Sequence, residues 1–385
     1  MNRSPDVRRI AVVTVGRSDY GIQRPLLRAI DAHPRLALQL IVGAAHLVRG
    51  FGDTADEIAR DGFVAAAEVD CSLAADRPGS IARAMGMATM GFARAYEETR
   101  PDIIVVLGDR YEMHAAACAA VPFLIPLAHI GGGSTTRGAI DDVFRNSITK
   151  LSHLHFCETE AFAGQLQAMG EDAGRIHVTG ALGLDNLAAL PLLSPAEITG
   201  RFGCIIDPAP LLVTFHPETR AWAETDAHIA ALLAALEAQA APIVFTYPNA
   251  DTAGQMIIRE IEAFARRHPG RVSLVPHFGT AGYFSMMRHA RAMIGNSSSG
   301  IIEAASFQLP VVDIGRRQEG RFRPRNVIHA GHDAPAIGAA IAQAVSDDFR
   351  RTLDDLVNPY GLGDAARRMV EVLDQIVIDS DLVVK

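Results

Sequence analysis

"RIAVVTV", residues 9–15, carries charge only on its first residue, and it empties into Gly16 and the segment "RSDYG". A strand that is apolar on both alternating faces has to be covered on both sides, as in a parallel sheet flanked by helices. "LALQLIVGA" at 36–44, "DIIVVLG" at 102–108 and "FLIPLAHI" at 123–130 read the same way, with helical stretches such as "GSIARAMGMATMGFARAYEET" at 79–99 between them. This alternation predicts a doubly wound α/β unit.

The pattern then restarts. Proline, glycine and turn residues gather over 190–208, and a second series follows: "LLVTF" at 211–215, "PIVFTY" at 242–247, "RVSLV" at 271–275, "ARAMIG" at 290–295 and "LPVVDIG" at 309–315. The expected fold class is α/β, with two Rossmann-like doubly wound domains facing a cleft. The expected boundaries are 1–195 and 205–362, with a C-terminal helix in 363–385 packing back on the first domain. Ligands of such sheets bind outside the carboxyl ends of the strands, so the loops that follow strands hold the interest.

At 385 residues, with 49% hydrophobic and 21% charged content, the chain has ordinary globular composition and enough length for two full cores. A net charge of −8 excludes a general affinity for nucleic acid or anionic membrane. The apolar run Ile10–Val15 is too short for a signal-peptide core. The charge-free stretch His114–Ile130 is interrupted by Pro122 and Pro126 and reads as a helix and a strand rather than a membrane span. Cys71, Cys118, Cys157 and Cys204 have no metal-ligand spacing and are expected as reduced core residues of a cytoplasmic protein.

"IGNSSSGIIEAASF" at 294–307 gives the clearest chemical signal. Asn296, Ser297, Ser298, Ser299 and Gly300 lie between a strand and a helix, where serines cap the helix start and free N–H groups favour a phosphate. A plain cap would need one serine. Glu303, one turn on, is either a hydrogen-bond acceptor for ribose hydroxyls or an ordinary solvated glutamate. "GRRQEGRFRPRN" at 315–326 sets Arg316, Arg317, Arg321, Arg323 and Arg325 behind a strand, as a diphosphate-neutralising group or as a solvated face. "TVGRSDYG" at 14–21 offers a second glycine turn with Arg17 but no GxGxxG, so no dinucleotide cofactor is indicated. Asp109 ends a strand as a helix cap or a catalytic carboxylate. His216 ends another, with an imidazole able to change charge near neutrality. In "AHIGGGSTTRGAIDD" at 128–142, the glycines are expected to admit a ligand, and Asp141 and Asp142 open a helix.

Together "VGRSDYG", "GDRYEM", "AHIGGG", "GAIDD", "KLSHLHF", "VTGALGLDN", "TFHPET", "TYPNADT", "GNSSSGIIEA" and "GRRQEGR" resemble the hydrolysing UDP-N-acetylglucosamine 2-epimerases of sialic-acid-type synthesis, in order over about 9–330. The resemblance implies a GT-B-like fold, with the sugar and catalytic loops in the first domain and UDP binding in the second. It also implies a UDP-amino-sugar substrate, release of N-acetylmannosamine and UDP, no cofactor or metal, and a homo-oligomer, dimer or tetramer. The candidate catalytic residues are Asp109, Asp142, His216, Ser134 and Asp141. The candidate substrate-binding residues are Arg17, His46, Gly132, Gly133, His277, Asn296, Ser297, Ser298, Ser299, Gly300, Glu303, Arg317 and Arg321.

One stretch departs from the family. Its pattern reads His-x-His-Gly-Gly-Glu-Thr-Thr-Glu-Gly, and this chain has Gly131 for the second histidine, Ser134 for the catalytic glutamate and Arg137 for the second glutamate. Serine is no base near neutrality without activation. Three outcomes stay open: a relocated acid, a different amino sugar such as the 4-acetamido-6-deoxy analogue used toward legionaminic acid, or a UDP-sugar binder with little turnover. A GT-B glycosyltransferase is the rival enzyme class.

Overall fold

The computed structural model describes residues 7–47, 54–71, 78–135, 140–218, 222–248 and 254–384. The chain divides into two compact units. The first is Met1–Ser134, Ile140–Ala188 and Gly361–Lys385, and the second is Thr135–Ala139 and Ala189–Tyr360.

The first unit holds strands β1 Arg8–Thr14, β2 Leu36–Gly43, β3 Ala65–Val69, β4 Ile103–Leu107, β5 Leu127–Ile130, β6 Leu154–Cys157 and β7 Ile176–Val178. They form one sheet in the order β3-β2-β1-β4-β5-β6-β7, with every neighbouring pair parallel. Alternation along β1 explains the covering of both faces. Ile10 and Val12 pack with Leu26, Leu27 and Ile30 of the helix Arg17–Asp31, while Ala11 and Val13 pack with Phe92, Tyr96 and Met113 on the opposite face. The helix Ala365–Gln375 adds Met369 and Leu373 to the first of these cores. Its start is capped by Asp185, whose carboxylate accepts the Ala365 and Ala366 N–H groups at 3.0 and 2.7 Å.

The second unit holds β8 Leu211–Thr214, β9 Ile243–Phe245, β10 Val272–Leu274, β11 Ala292–Gly295, β12 Val311–Ile314 and β13 Val327–Ala330, again all parallel, in the order β10-β9-β8-β11-β12-β13. Both units are thus doubly wound. The strand order reverses between β1 and β4 in the first unit and between β8 and β11 in the second, and these are the two topological switch points.

Two elements are shorter than the sequence suggests. Of "FLIPLAHI" only Leu127–Ile130 is strand, because Val121–Phe123 forms a 3-10 turn and Leu124 takes φ 55° ahead of Pro126. The helix expected after the serines of "IGNSSSGIIEAASF" is α-helical only over Ser298–Ile302 and tightens to 3-10 at Ala304–Phe307. No helix among the described residues is long and apolar enough to cross a membrane. All four cysteines are free, and three of them are buried.

Candidate active site

At the first switch point, β1 runs through Gly16 into the helix Arg17–Asp31, and β4 turns at Gly108 into the helix Tyr111–Ala120. Asp19, in the first turn of one helix, and Arg110, at the start of the other, meet across the junction, with Arg110 Nε 3.4 Å from Asp19 Oδ1. Ser18 completes the triangle. Its hydroxyl donates to Asp19 Oδ1 at 3.2 Å and accepts from Arg110 Nη2 at 3.2 Å. Asp19 is 6% exposed, and burial pushes its carboxyl up to about 6 against the opposing pull of Arg110.

A second guanidinium organises the neighbouring strand end. Arg145, three residues past Asp142 on the helix Asp141–Leu151, is 4% exposed in its side chain. It donates to Asp109 Oδ2, to Asp142 Oδ1 at 2.5 Å and to the Ser134 carbonyl at 3.1 Å. Helical i, i+3 spacing brings Asp142 onto its face. Below them His129 Nε2 donates to the Gly108 carbonyl at 2.8 Å and fixes the turn that carries Asp109. Burial, then the Asp109 charge, raises the Asp141 carboxyl above its usual range.

At the second switch point Asn296, after β11, faces His216, after β8. Asn296 Oδ1 accepts the His216 N–H at 2.7 Å, and its Nδ2 donates to the His216 carbonyl at 2.9 Å. The Asn296 carbonyl in turn receives Arg317 Nη1 at 3.0 Å and Gln318 Nε2 at 2.8 Å. Gly295 makes the close approach possible. With φ 135°, a Cβ there would stand 1.9 Å from the Thr214 carbonyl oxygen. Beneath, the Tyr283 hydroxyl meets Thr214 Oγ1 at 3.0 Å, and burial pushes this phenol up to about 12.

Ser297 caps the short helix, accepting the Ser299 N–H at 3.4 Å. Several expectations need correction. Gly132 and Gly133 lack side chains for reasons internal to the protein. A Cβ on Gly133, at φ 81°, would lie 2.5 Å from the Phe162 carbonyl oxygen, and one on Gly132 would lie 3.1 Å from His129 Nδ1. Gly300 likewise packs on Val311, 2.9 Å from a Cβ position. His216 does not titrate near neutrality, because burial, then Arg317, lowers its imidazole to about 3. His46 is interior, held by Thr14 Oγ1 at 3.0 Å from its Nε2, and burial lowers it to about 4. His277 is exposed in the loop after the outer strand β10.

Three of the five clustered arginines are neutralised by the protein itself: Arg316 by Glu319 at 2.9 Å, Arg323 by Asp313 at 2.9 Å and Arg325 by Asp355. Arg321 has no carboxylate partner among the described residues. Arg17 lies 3.9 Å from Glu57 with its side chain largely exposed. Glu303 is half-buried just past the one-turn helix. Arg137 lies outside the described residues. No group of three metal-ligating side chains occurs among the described residues. Asp19, Arg110 and Arg145 at the first switch point, and Tyr283 and Gln318 at the second, are residues that their motifs did not single out. For Arg145 the signal was its i+3 spacing from Asp142.

The family model described as UDP-N-acetylglucosamine 2-epimerase matches residues 28–374. The chain is 36% identical to the GDP/UDP-N,N'-diacetylbacillosamine 2-epimerase (hydrolyzing) of Campylobacter jejuni, over 83% of this chain and 84% of that one. It is 34% identical to the UDP-N,N'-diacetylbacillosamine 2-epimerase (hydrolyzing) of Legionella pneumophila, over 98% and 99%. The crystal structure of UDP-GlcNAc 2-epimerase from Neisseria meningitidis bound to UDP-GlcNAc superposes with a TM-score of 0.80 at 19% identity, over 95% and 99% of the chains. The chain belongs to the UDP-N-acetylglucosamine 2-epimerase family, a class of sugar-nucleotide epimerases of GT-B-like fold.

Proposed function

We propose that this chain cleaves a nucleoside diphosphate 2-acetamido sugar hydrolytically with inversion at C2, and that its preferred substrate carries a second acetamido group at C4. The products are the free manno-configured amino sugar and the nucleoside diphosphate. A C2 proton of an amino sugar is not acidic enough to leave unaided. Departure of the diphosphate from C1 builds positive charge on the ring, a carboxylate then takes the C2 proton, and a glycal remains. A group on the other face returns a proton to C2 while water adds at C1.

The observation that carries this reading is Arg145 holding Asp109 and Asp142 side by side at the end of the first sheet. Asp109, Asp142 and Asp141, whose carboxyl is raised by burial, are the candidates for the two proton transfers. Ser134 supplies a backbone carbonyl to Arg145 and no acid. In the second unit Ser298, Ser299, Glu303 and Arg321 are the candidate nucleotide-binding groups, and in the first unit Arg17 is. His216, neutral at working pH, offers hydrogen bonds rather than a base. The C4 acetamido preference is supported by the names of the two relatives at 36% and 34% identity and by the loss of a carboxylate at Ser134.

Proton NMR in deuterated water tests this with three donors: UDP-GlcNAc and the UDP and GDP forms of 2,4-diacetamido-2,4,6-trideoxyglucose. The expected result is diphosphate release with one deuterium at C2 of the product, fastest on a diacetamido donor. Tight binding without release from any donor would instead mark a sugar-nucleotide binder, and turnover only with an added acceptor would mark a glycosyltransferase.

A further inference from the structure

We propose that Asp19 is a positioning residue of this site that works through Arg110. In the free enzyme its buried carboxylate holds that guanidinium at the β1–β4 junction, and it takes up a proton when an anionic oxygen of the sugar nucleotide takes the guanidinium over. The inference rests on the proposed function for the identity of the ligand.

The geometry is that of a latch across a switch point. Asp19 Oδ1 has two partners, Ser18 Oγ and Arg110 Nε. Its other oxygen, Oδ2, is buried with no hydrogen-bond partner among the described residues, beside Gly16, where even a Cβ would stand 3.9 Å away. A buried carboxylate oxygen with nothing to accept from is costly, and protonation there removes the cost. Arg110 is about half exposed in its side chain and open to an incoming ligand.

The charged groups facing Asp19 are few. Arg110, Asp109 and Glu112 come from the β4 side. On its own helix Ser18 is neutral and Arg17 turns to Glu57. After β2, His46 is neutral near pH 7 and bonded to Thr14. Arg110 therefore already answers to Asp19, Asp109 and Glu112. A phosphate oxygen arriving there is a fourth claimant; Asp19 and Glu112 each keep a buried oxygen without a partner among the described residues, but Asp19 is the one in ion-pair contact with the guanidinium, so it is the carboxyl that loses its share of the cation.

Isothermal titration of UDP into the protein at about pH 7, in two buffers of different ionisation enthalpy, counts protons taken up. UDP contributes protons of its own, so the readout is wild type minus variant. We expect the wild type to take up about half a proton more than Asp19→Asn. Arg110→Gln, at a half-exposed position, should lose the same excess. In steady-state assays with the donor the wild type turns over, Asp19→Asn should raise KM roughly ten-fold with a smaller change in kcat. It should also lose an acid limb near pH 6, and Asp19→Glu should restore part of both. A folded variant that takes up as many protons as the wild type overturns the latch while leaving the epimerase reading intact. A wild type that neither binds UDP nor turns over any donor overturns both.

Discussion

Asn296 and His216 clasp each other across the ends of β11 and β8, one side-chain amide satisfying both the N–H and the carbonyl of the histidine, at 2.7 and 2.9 Å. Asn296→Ala would leave both backbone groups buried without that partner, at about 1–3 kcal/mol each. The expected outcome is a loss of about 2–4 kcal/mol in urea unfolding together with weakened UDP binding in titration calorimetry. Unchanged stability would mean the clasp is replaced by water.

Arg145 spans two carboxylates and one carbonyl, a task its planar fork suits and a lysine ammonium does not. Arg145→Lys should cut kcat/KM by roughly a hundred-fold with a modest fall in melting temperature, because the charge is kept while the carboxylates lose their alignment. Steady-state kinetics beside a thermal melt separates the two effects.

Ser134→Ala should leave turnover within roughly three-fold of wild type, since among the described residues the hydroxyl makes only a 3.4 Å bond back to the Gly131 carbonyl and is given no proton to move. A hundred-fold loss in the same assay would restore the side chain to the mechanism.

Gly295→Ala combines a backbone at φ 135° with a Cβ 1.9 Å from the Thr214 carbonyl oxygen. Insoluble protein, or a melting temperature lower by roughly 10 °C or more, is expected.

Buried groups give the stability curve two opposed slopes. His216 and His46 are lowered to about 3 and about 4, so the unfolded chain binds their protons first. Their contribution is intact above about pH 6.5 and is lost as the pH falls toward 4, at about 1.4 kcal/mol per pH unit for each group. Asp19, raised to about 6, works the other way, and its penalty is complete once the pH is above 6. Asp19→Asn should therefore stabilise the protein at pH 8, on the order of 2 kcal/mol, and by roughly half as much at pH 5. Melting temperatures across that range decide it.

Much of this was legible in the sequence, for identifiable reasons. Strands such as β1 and β4 announce themselves because burial on both faces demands unbroken apolar runs, and the residues that follow strands, Asp109 and His216 among them, are placed by topology alone. What stayed hidden depended on who fills the space. Gly133 reads as room for a ligand until the Phe162 carbonyl is found there. His216 reads as a titrating base until its burial is known. Asp19 looks like any acidic residue at a helix start, since nothing in the sequence says that Arg110, 91 positions on, lies against it.

The capping of Ala365 and Ala366 by Asp185 also sets a timetable for synthesis. The seam that Met369 and Leu373 close on the first unit stays uncovered until residues 365–375 have left the ribosome. By then the whole second unit has been made. A chain stopped at Tyr360 would therefore release an intact second unit beside a first unit with its apolar flank bare, a substrate for chaperones and proteases.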